Sequence, residues 1–174
     1  MQNSIFISYN PQSIQEKKLA EGLYKQGRQN GYFIYLPERS RGYNLSSGTK
    51  SNIDLSDWFI IFSTTQLSDT VMEEITYATT TKKASHIIVV YSQHVGKNIH
   101  FPNIKPIEVY IDTYNLNSLE EFKMDILQQI ATANKKEADQ KQKREEDNNM
   151  ALKVILGIGA AALLLSALSS SDKN

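Results

Sequence analysis

With 174 residues, the chain is long enough for one domain with a buried core plus an appendage, and too short for two large domains. Its 19 Lys plus Arg balance 19 Asp plus Glu, which removes the electrostatic case for a nucleic-acid partner. The absence of cysteine excludes a disulfide framework, a thiolate zinc site and a Cys nucleophile and suits a reducing cytosol; the first residues carry no basic stretch followed by an apolar run, so no secretory signal is expected.

In chain order, Ile5-Phe6-Ile7 opens an apolar run of strand type that ends at Ser8-Tyr9-Asn10-Pro11. Residues 12–27 follow with Ile14, Leu19, Leu23 and Tyr24 at helical intervals, and Gly27 reads as a stop. Tyr32-Phe33-Ile34-Tyr35 is a second strand, entered from Asn30-Gly31. A long polar loop over 37–48 contains Glu38, Arg39, Arg41 and Gly42, and a short amphipathic turn over 49–55 comes after it. Trp58-Phe59-Ile60-Ile61-Phe62 is a third, buried strand, ending at Ser63-Thr64-Thr65. The pattern then predicts a helix over 69–82, with Asp69 as N-cap and Lys82-Lys83 set against the C-terminal dipole. Ile87-Ile88-Val89-Val90-Tyr91 is a fourth strand and Ile107-Glu108-Val109-Tyr110-Ile111 a fifth. Ser118-Leu119-Glu120-Glu121 reads as a capping box opening a last helix, whose stripe is Leu119, Phe122, Ile126, Leu127 and Ile130.

Strands separated by helices imply a five-stranded parallel sheet with right-handed crossovers, flanked by helices. The expected organisation is an α/β domain over 1–133, a charged linker or helix extension over 134–149, an apolar helix over 150–168 and a polar tail over 169–174. In such sheets ligands bind beyond the carboxyl ends of the strands. Here those ends are Ser8-Tyr9, the 37–48 loop and Ser63-Thr64-Thr65, all polar.

The segment after the third strand carries two adjacent carboxylates. At about 100° per residue, Val71, Ile75 and Ala78 share a helix face; Glu74 lies about 70° from its centre and Glu73 on the opposite side. Glu74 is therefore expected to lean over the sheet edge into the pocket, and Glu73 to point to water. His86, His94 and His100 are too scattered for a metal triad, so no metal site is expected. Gly42 and Gly48 do not form a phosphate-binding fingerprint in a strand–helix turn, and Trp58 reads as core.

Several of these features together resemble the Toll/interleukin-1 receptor (TIR) domain family over residues 4–130. Ile5-Phe6-Ile7-Ser8-Tyr9 is similar to its first-strand box, and the 37–48 loop sits where the family carries its mobile BB loop. Ser68, Glu74, Ile75 and Ala78 fit the spacing of its third-strand and helix signature; Thr70 stands where the family has Trp. The resemblance implies a TIR/flavodoxin-like sheet and cleavage of the nicotinamide–ribose bond of NAD+, with Glu74 as the catalytic glutamate. Ser8 and Tyr9 would then line the floor, Arg39 and Arg41 would contact the pyrophosphate, and Ser63 and Thr70 would complete the substrate-binding set. NAD+ would be substrate, with no cofactor and no metal. The resemblance further implies a bacterial antiphage or signalling setting, activation by self-association, and a product that is ADP-ribose or a cyclic or conjugated form sensed by a separate effector. A non-catalytic adaptor that only assembles with its own kind is the alternative, and a flavodoxin-like nucleotide sensor a third reading.

Residues 150–168 add a further expectation. Nineteen residues with Lys153 as the one charge make a helix of about 28 Å, close to a bilayer core of about 30 Å. The upstream Lys/Arg cluster would stay cytoplasmic. This predicts a single-pass anchor on the inner face of the membrane; the alternatives are a soluble oligomerisation helix and a cytoplasmic protein.

Overall fold

The computed structural model describes residues 3–38 and 45–169, with the side chains of the last helix described to residue 146. The elements run β1 (Ser4–Ser8), α1 (Ile14–Gln29), β2 (Phe33–Tyr35), α2 (Ser47–Leu55), β3 (Trp58–Ser63), α3 (Asp69–Thr81), β4 (Ile87–Ser92), β5 (Ile107–Ile111) and α4 (Leu116–Ser169). The five strands form one parallel sheet in the order β2-β1-β3-β4-β5, as the alternation of strand and helix predicts. This is the flavodoxin-like order, in which the chain changes direction across the sheet between β1 and β3.

The chain divides into two compact units, residues 1–127 and 128–174. In the first, β1, β3 and β4 are buried along their whole length, because both faces of the sheet are covered. Strand alternation sorts the side chains. Phe6, Phe59, Ile61, Val89 and Tyr91 form one core with Ile53 of α2 and Val71, Ile75 and Ala78 of α3; Phe6 and Phe59 stack with centroids 5.5 Å apart. On the opposite face Phe62 meets Phe122 of α4 edge-on at 5.9 Å. Trp58 is fully buried and stacks on His86 at 4.7 Å.

Local chemistry moves several expected boundaries. Helix α1 does not stop at Gly27. Gly27 is a close-approach glycine: a Cβ there would lie 2.5 Å from Ile34 Cδ1. The stop is Gly31 at φ +81°, where Tyr32 N donates to Gly27 O at 3.0 Å and Gly31 N to Arg28 O at 3.2 Å, a Schellman closure that needs the left-handed residue. Helix α3 is capped by Ser68, whose Oγ accepts from Val71 N, so Asp69 is its first residue and favours the dipole there. Lys82 serves α2 instead of its own helix: Nζ donates to Asp54 O at 3.2 Å and to Ser56 O, and burial lowers its pKa. Helix α4 starts at Leu116 because Asn115 Oδ1 accepts from Asn117 N and Ser118 N; Ser118 lies inside the first turn, so the expected capping box is not the start.

The second unit is the remainder of α4, which is one continuous helix of 54 residues to Ser169. Residues 135–146 are exposed, with Gln142 bonded to Glu146 at 3.0 Å. Among the described residues no helix is long and apolar enough to cross a membrane. This corrects the expected transmembrane helix and leaves the inner-membrane anchor without support. Residues 135–146 of α4 are rich in charge, and the side chains of residues 147–169, which include the expected apolar segment 150–168, lie outside the description.

Candidate active site

Register and parity build the site. Phe6 pairs with Phe59 and Ser8 with Ile61, so Ser8 at the end of β1 and Ser63 at the end of β3 point to the face covered by α3. Helix α3 lays Val71, Ile75 and Ala78 on that face, and Glu74 follows beside them, as its angular position on the helix predicts. The outcome is a contact across 66 residues of sequence: Ser8 Oγ donates to Glu74 Oε2 at 2.5 Å. Both residues are fully buried. A carboxylate taken out of water is costly unless hydrogen-bonded, and an O–H to a carboxylate oxygen is among the strong hydrogen bonds.

The switch point holds a second buried carboxylate, Glu16, which the sequence reading did not single out. Its Oε1 accepts from Thr64 N (3.0 Å), Thr64 Oγ1 (2.9 Å), Thr65 N (3.0 Å) and Thr65 Oγ1 (3.0 Å). Its Oε2 accepts from Asn10 N at 2.7 Å. Asn10 adds a parallel link, Nδ2 to Gln66 O at 2.7 Å. The loop between β4 and β5 also reaches the site: Asn98 accepts from Ser63 Oγ and donates through Nδ2 to Thr65 O at 2.7 Å.

The other expected site residues divide. Tyr9 is buried at the end of β1, beside Ser8. Ser63 is at the strand end but engages Asn98. Thr70 is half-buried one turn before Glu74 on the same helix face. Arg39 and Arg41 lie outside the described residues. Glu73 does not simply face water: it is half-buried, and its Oε2 accepts from Leu45 N at 2.7 Å, holding the end of the 37–48 loop to α3. Among the described residues no three His, Asp or Glu side chains gather as metal ligands.

A signal for Glu16 does exist. Ser13-Ile14-Gln15-Glu16 has capping-box spacing, and Ser13 Oγ accepts from Glu16 N at 3.2 Å. The reciprocal half is missing: Ser13 N donates to Asn10 O instead, at 3.0 Å. The Glu16 carboxylate is thereby diverted to the two strand-end loops. Asn98 lies on a loop without periodicity and carries no comparable signal.

No family model matches the chain, and no curated protein matches it. Solved structures similar to it include the CMP N-glycosidase BcmB of Clostridium botulinum, with TM-score 0.46 and 18% identity over 71% of this chain and 98% of that one. Another is a 2-deoxyribosyltransferase from the psychrotolerant bacterium Bacillus psychrosaccharolyticus, with TM-score 0.44 and 14% identity over 67% of this chain and 95% of that one. Likeness at this level gives no ground for transferring their activities. Nothing in these comparisons supports the expected antiphage role, which is withdrawn.

Proposed function

We propose that the chain is an N-glycosidase whose reacting carboxylate is Glu74, cleaving the bond between a base and a ribose carbon. The single observation that carries the reading is the fully buried Glu74 carboxylate at the switch point, held by the Ser8 hydroxyl at 2.5 Å. Breaking a C1′–N bond leaves the electron pair on the base and positive charge on C1′ and the ring oxygen. A fixed carboxylate in a water-poor crevice stabilises that charge far better than one in bulk water. The Ser8 hydroxyl holds the carboxylate against rotation, so little reorganisation is needed as charge develops.

NAD+ is the substrate that the family resemblance implies, and its chemistry suits a site whose reacting group is the Glu74 carboxylate, because the reaction calls for no general acid. The substrate already carries the cation, and nicotinamide leaves as a neutral molecule without being protonated. Water adding at C1′ and losing a proton gives ADP-ribose; ring closure by an internal nucleophile of the same molecule gives a cyclic product.

The test is release of base from NAD+ and from nucleoside monophosphates, followed by chromatography, for wild type, Glu74→Gln and Glu73→Gln. Glu74→Gln is expected to lose about 10²- to 10³-fold in kcat, the scale of removing one preorganised electrostatic partner. Glu73→Gln keeps an oxygen that can accept the Leu45 N–H and is expected to stay within about threefold of wild type. Equal activity of Glu74→Gln and wild type sinks the assignment. A wild type that turns over neither substrate class favours an assembly role without catalysis.

A further inference from the structure

We propose that Glu16 is a positioning residue that sets the Ser8–Glu74 pair by tying the ends of β1 and β3 together across the crevice. The proposal rests on the reading of Glu74 as the reacting carboxylate. Three observations carry it.

The first is the partner set. All five atoms facing the Glu16 carboxylate are donors: Asn10 N, Thr64 N and Oγ1, and Thr65 N and Oγ1. A carboxylate is acceptor-only, with about four lone-pair sites that these donors fill and in part share; an amide would turn an NH2 group against N–H groups. The second is that helix α1 does not need this arrangement. Ser13 caps it, and the Ser13 N–H is satisfied by Asn10 O, so the side chain is free of its usual local task.

The third is where the bonds land. Asn10 lies two residues after Ser8, and Thr64 follows Ser63 and leads through 65–68 into α3. The loop carrying Glu74's helix is thus fixed at its start by Glu16 and at its end by the Ser68 cap. Ser8 and Glu74 sit on separate elements, and their contact depends on how far α3 slides relative to β1. A displacement of about 1 Å at a reacting group costs up to about 10²-fold in rate. The Asn10–Gln66 bond runs alongside the brace but links the same two loops through one contact only.

The experiment uses the full chain with carbon-13 label at the glutamate carboxyls, following the Glu74 resonance against pH in wild type, Ser8→Ala and Glu16→Gln, with kcat and KM on the same proteins. A hydroxyl donating to a carboxylate favours its charged form, so Ser8→Ala should move the Glu74 midpoint upward. Glu16→Gln should move it in the same direction at least half as far, and lower kcat about tenfold or more with KM within about twofold. Folding is checked by circular dichroism. Should Glu16→Gln not fold, Thr64→Val carries the test: it deletes one hydroxyl bond and leaves both backbone amides, and a smaller upward movement is expected.

A folded Glu16→Gln protein with the wild-type midpoint overturns the proposal, even if kcat falls, since general loosening would do that. A Ser8→Ala protein with an unmoved midpoint overturns it together with the Ser8–Glu74 pair. A midpoint that moves in both variants of a wild type without turnover supports the positioning role and removes the proposed activity.

Discussion

The carboxyl ends of β1 and β3, where sheets of this order place their ligand crevice, and the rim beyond β4 and β5 belong to one sheet edge and look alike in sequence. Each carries hydroxyl residues at or just past its strand ends: β1 and β3 end in Ser8 and Ser63 at the first, and at the second β4 ends in Ser92 while Thr113 lies two residues after β5. At the rim, Ser92 and Thr113 are buried with their hydroxyls 3.3 Å apart, His94 N donates to Ser92 Oγ and Gln15 Nε2 to Thr113 O. Its titratable pair, His94 and Asp112, is in part open to solvent. At the crevice, two carboxylates, Glu16 and Glu74, are fully buried. Burying a carboxylate costs several kcal/mol before its hydrogen bonds offset it. The difference teaches that a polar strand end is not in itself a site. Here the distinguishing feature is buried charge at the place where the strand order reverses.

The sharpest way to break the comparison is to delete one hydroxyl from each region. Losing a hydrogen bond to a charged group costs about 1.5–3 kcal/mol, so Ser8→Ala should lower base release by about tenfold to 10²-fold. Ser92→Ala removes a hydroxyl from a neutral pair and should stay within about twofold of wild type. Equal losses in the two variants, measured as kcat/KM, would show that the sheet edge acts as a unit and that the crevice is not special.

A smaller effect is expected from the cap that begins α3. Ser68 Oγ accepts from Val71 N at 3.4 Å, and loss of an N-cap costs about 1 kcal/mol. Ser68→Ala should lower the urea midpoint accordingly with m unchanged. Because the Glu16 brace holds the other end of the 64–68 loop, its effect on turnover should be smaller than that of Ser8→Ala. A larger effect on turnover would put the positioning of Glu74 in the cap and not in the brace.

How much of this was legible in the sequence follows from the range of each interaction. The five strands stand out because β-branched and aromatic runs between polar breaks have few alternatives. Glu74 is legible because its place depends on helix angle, a local property, joined to one strand end. Glu16 is not, because Thr64 and Thr65 are 48 and 49 residues away, while the local rule at Ser13-Ile14-Gln15-Glu16 points to a capping box. Glu73 was misjudged for the same reason: helix angle sends it away from the sheet, and only the returning chain at Leu45 gives it a partner. The Gly27 stop failed because a glycine can serve a close approach as well as a left-handed turn, and only the position of Ile34 distinguishes them.

The smallest expected effect tests the rim by pH. The His94 Nε2 contact to Asp112 Oδ1 at 2.9 Å and, secondarily, the Tyr114 N–H hold the Asp112 pKa below its ordinary value of 3.8. A carboxyl whose pKa is lower in the folded than in the unfolded chain stabilises the fold above the unfolded value, and that contribution is lost as pH falls through the folded one. His94→Ala should therefore lower Tm slightly at pH 5–6, and the gap from wild type should close as pH drops below 3.8. His94 is exposed and Asp112 only half-buried, so screening keeps the effect small, and added salt should narrow it further. Turnover should be unchanged in the variant across the same range. A gap in Tm that instead widens toward low pH would mean that Asp112 is not the group His94 stabilises. A change in turnover would join the rim to the crevice as one functional surface.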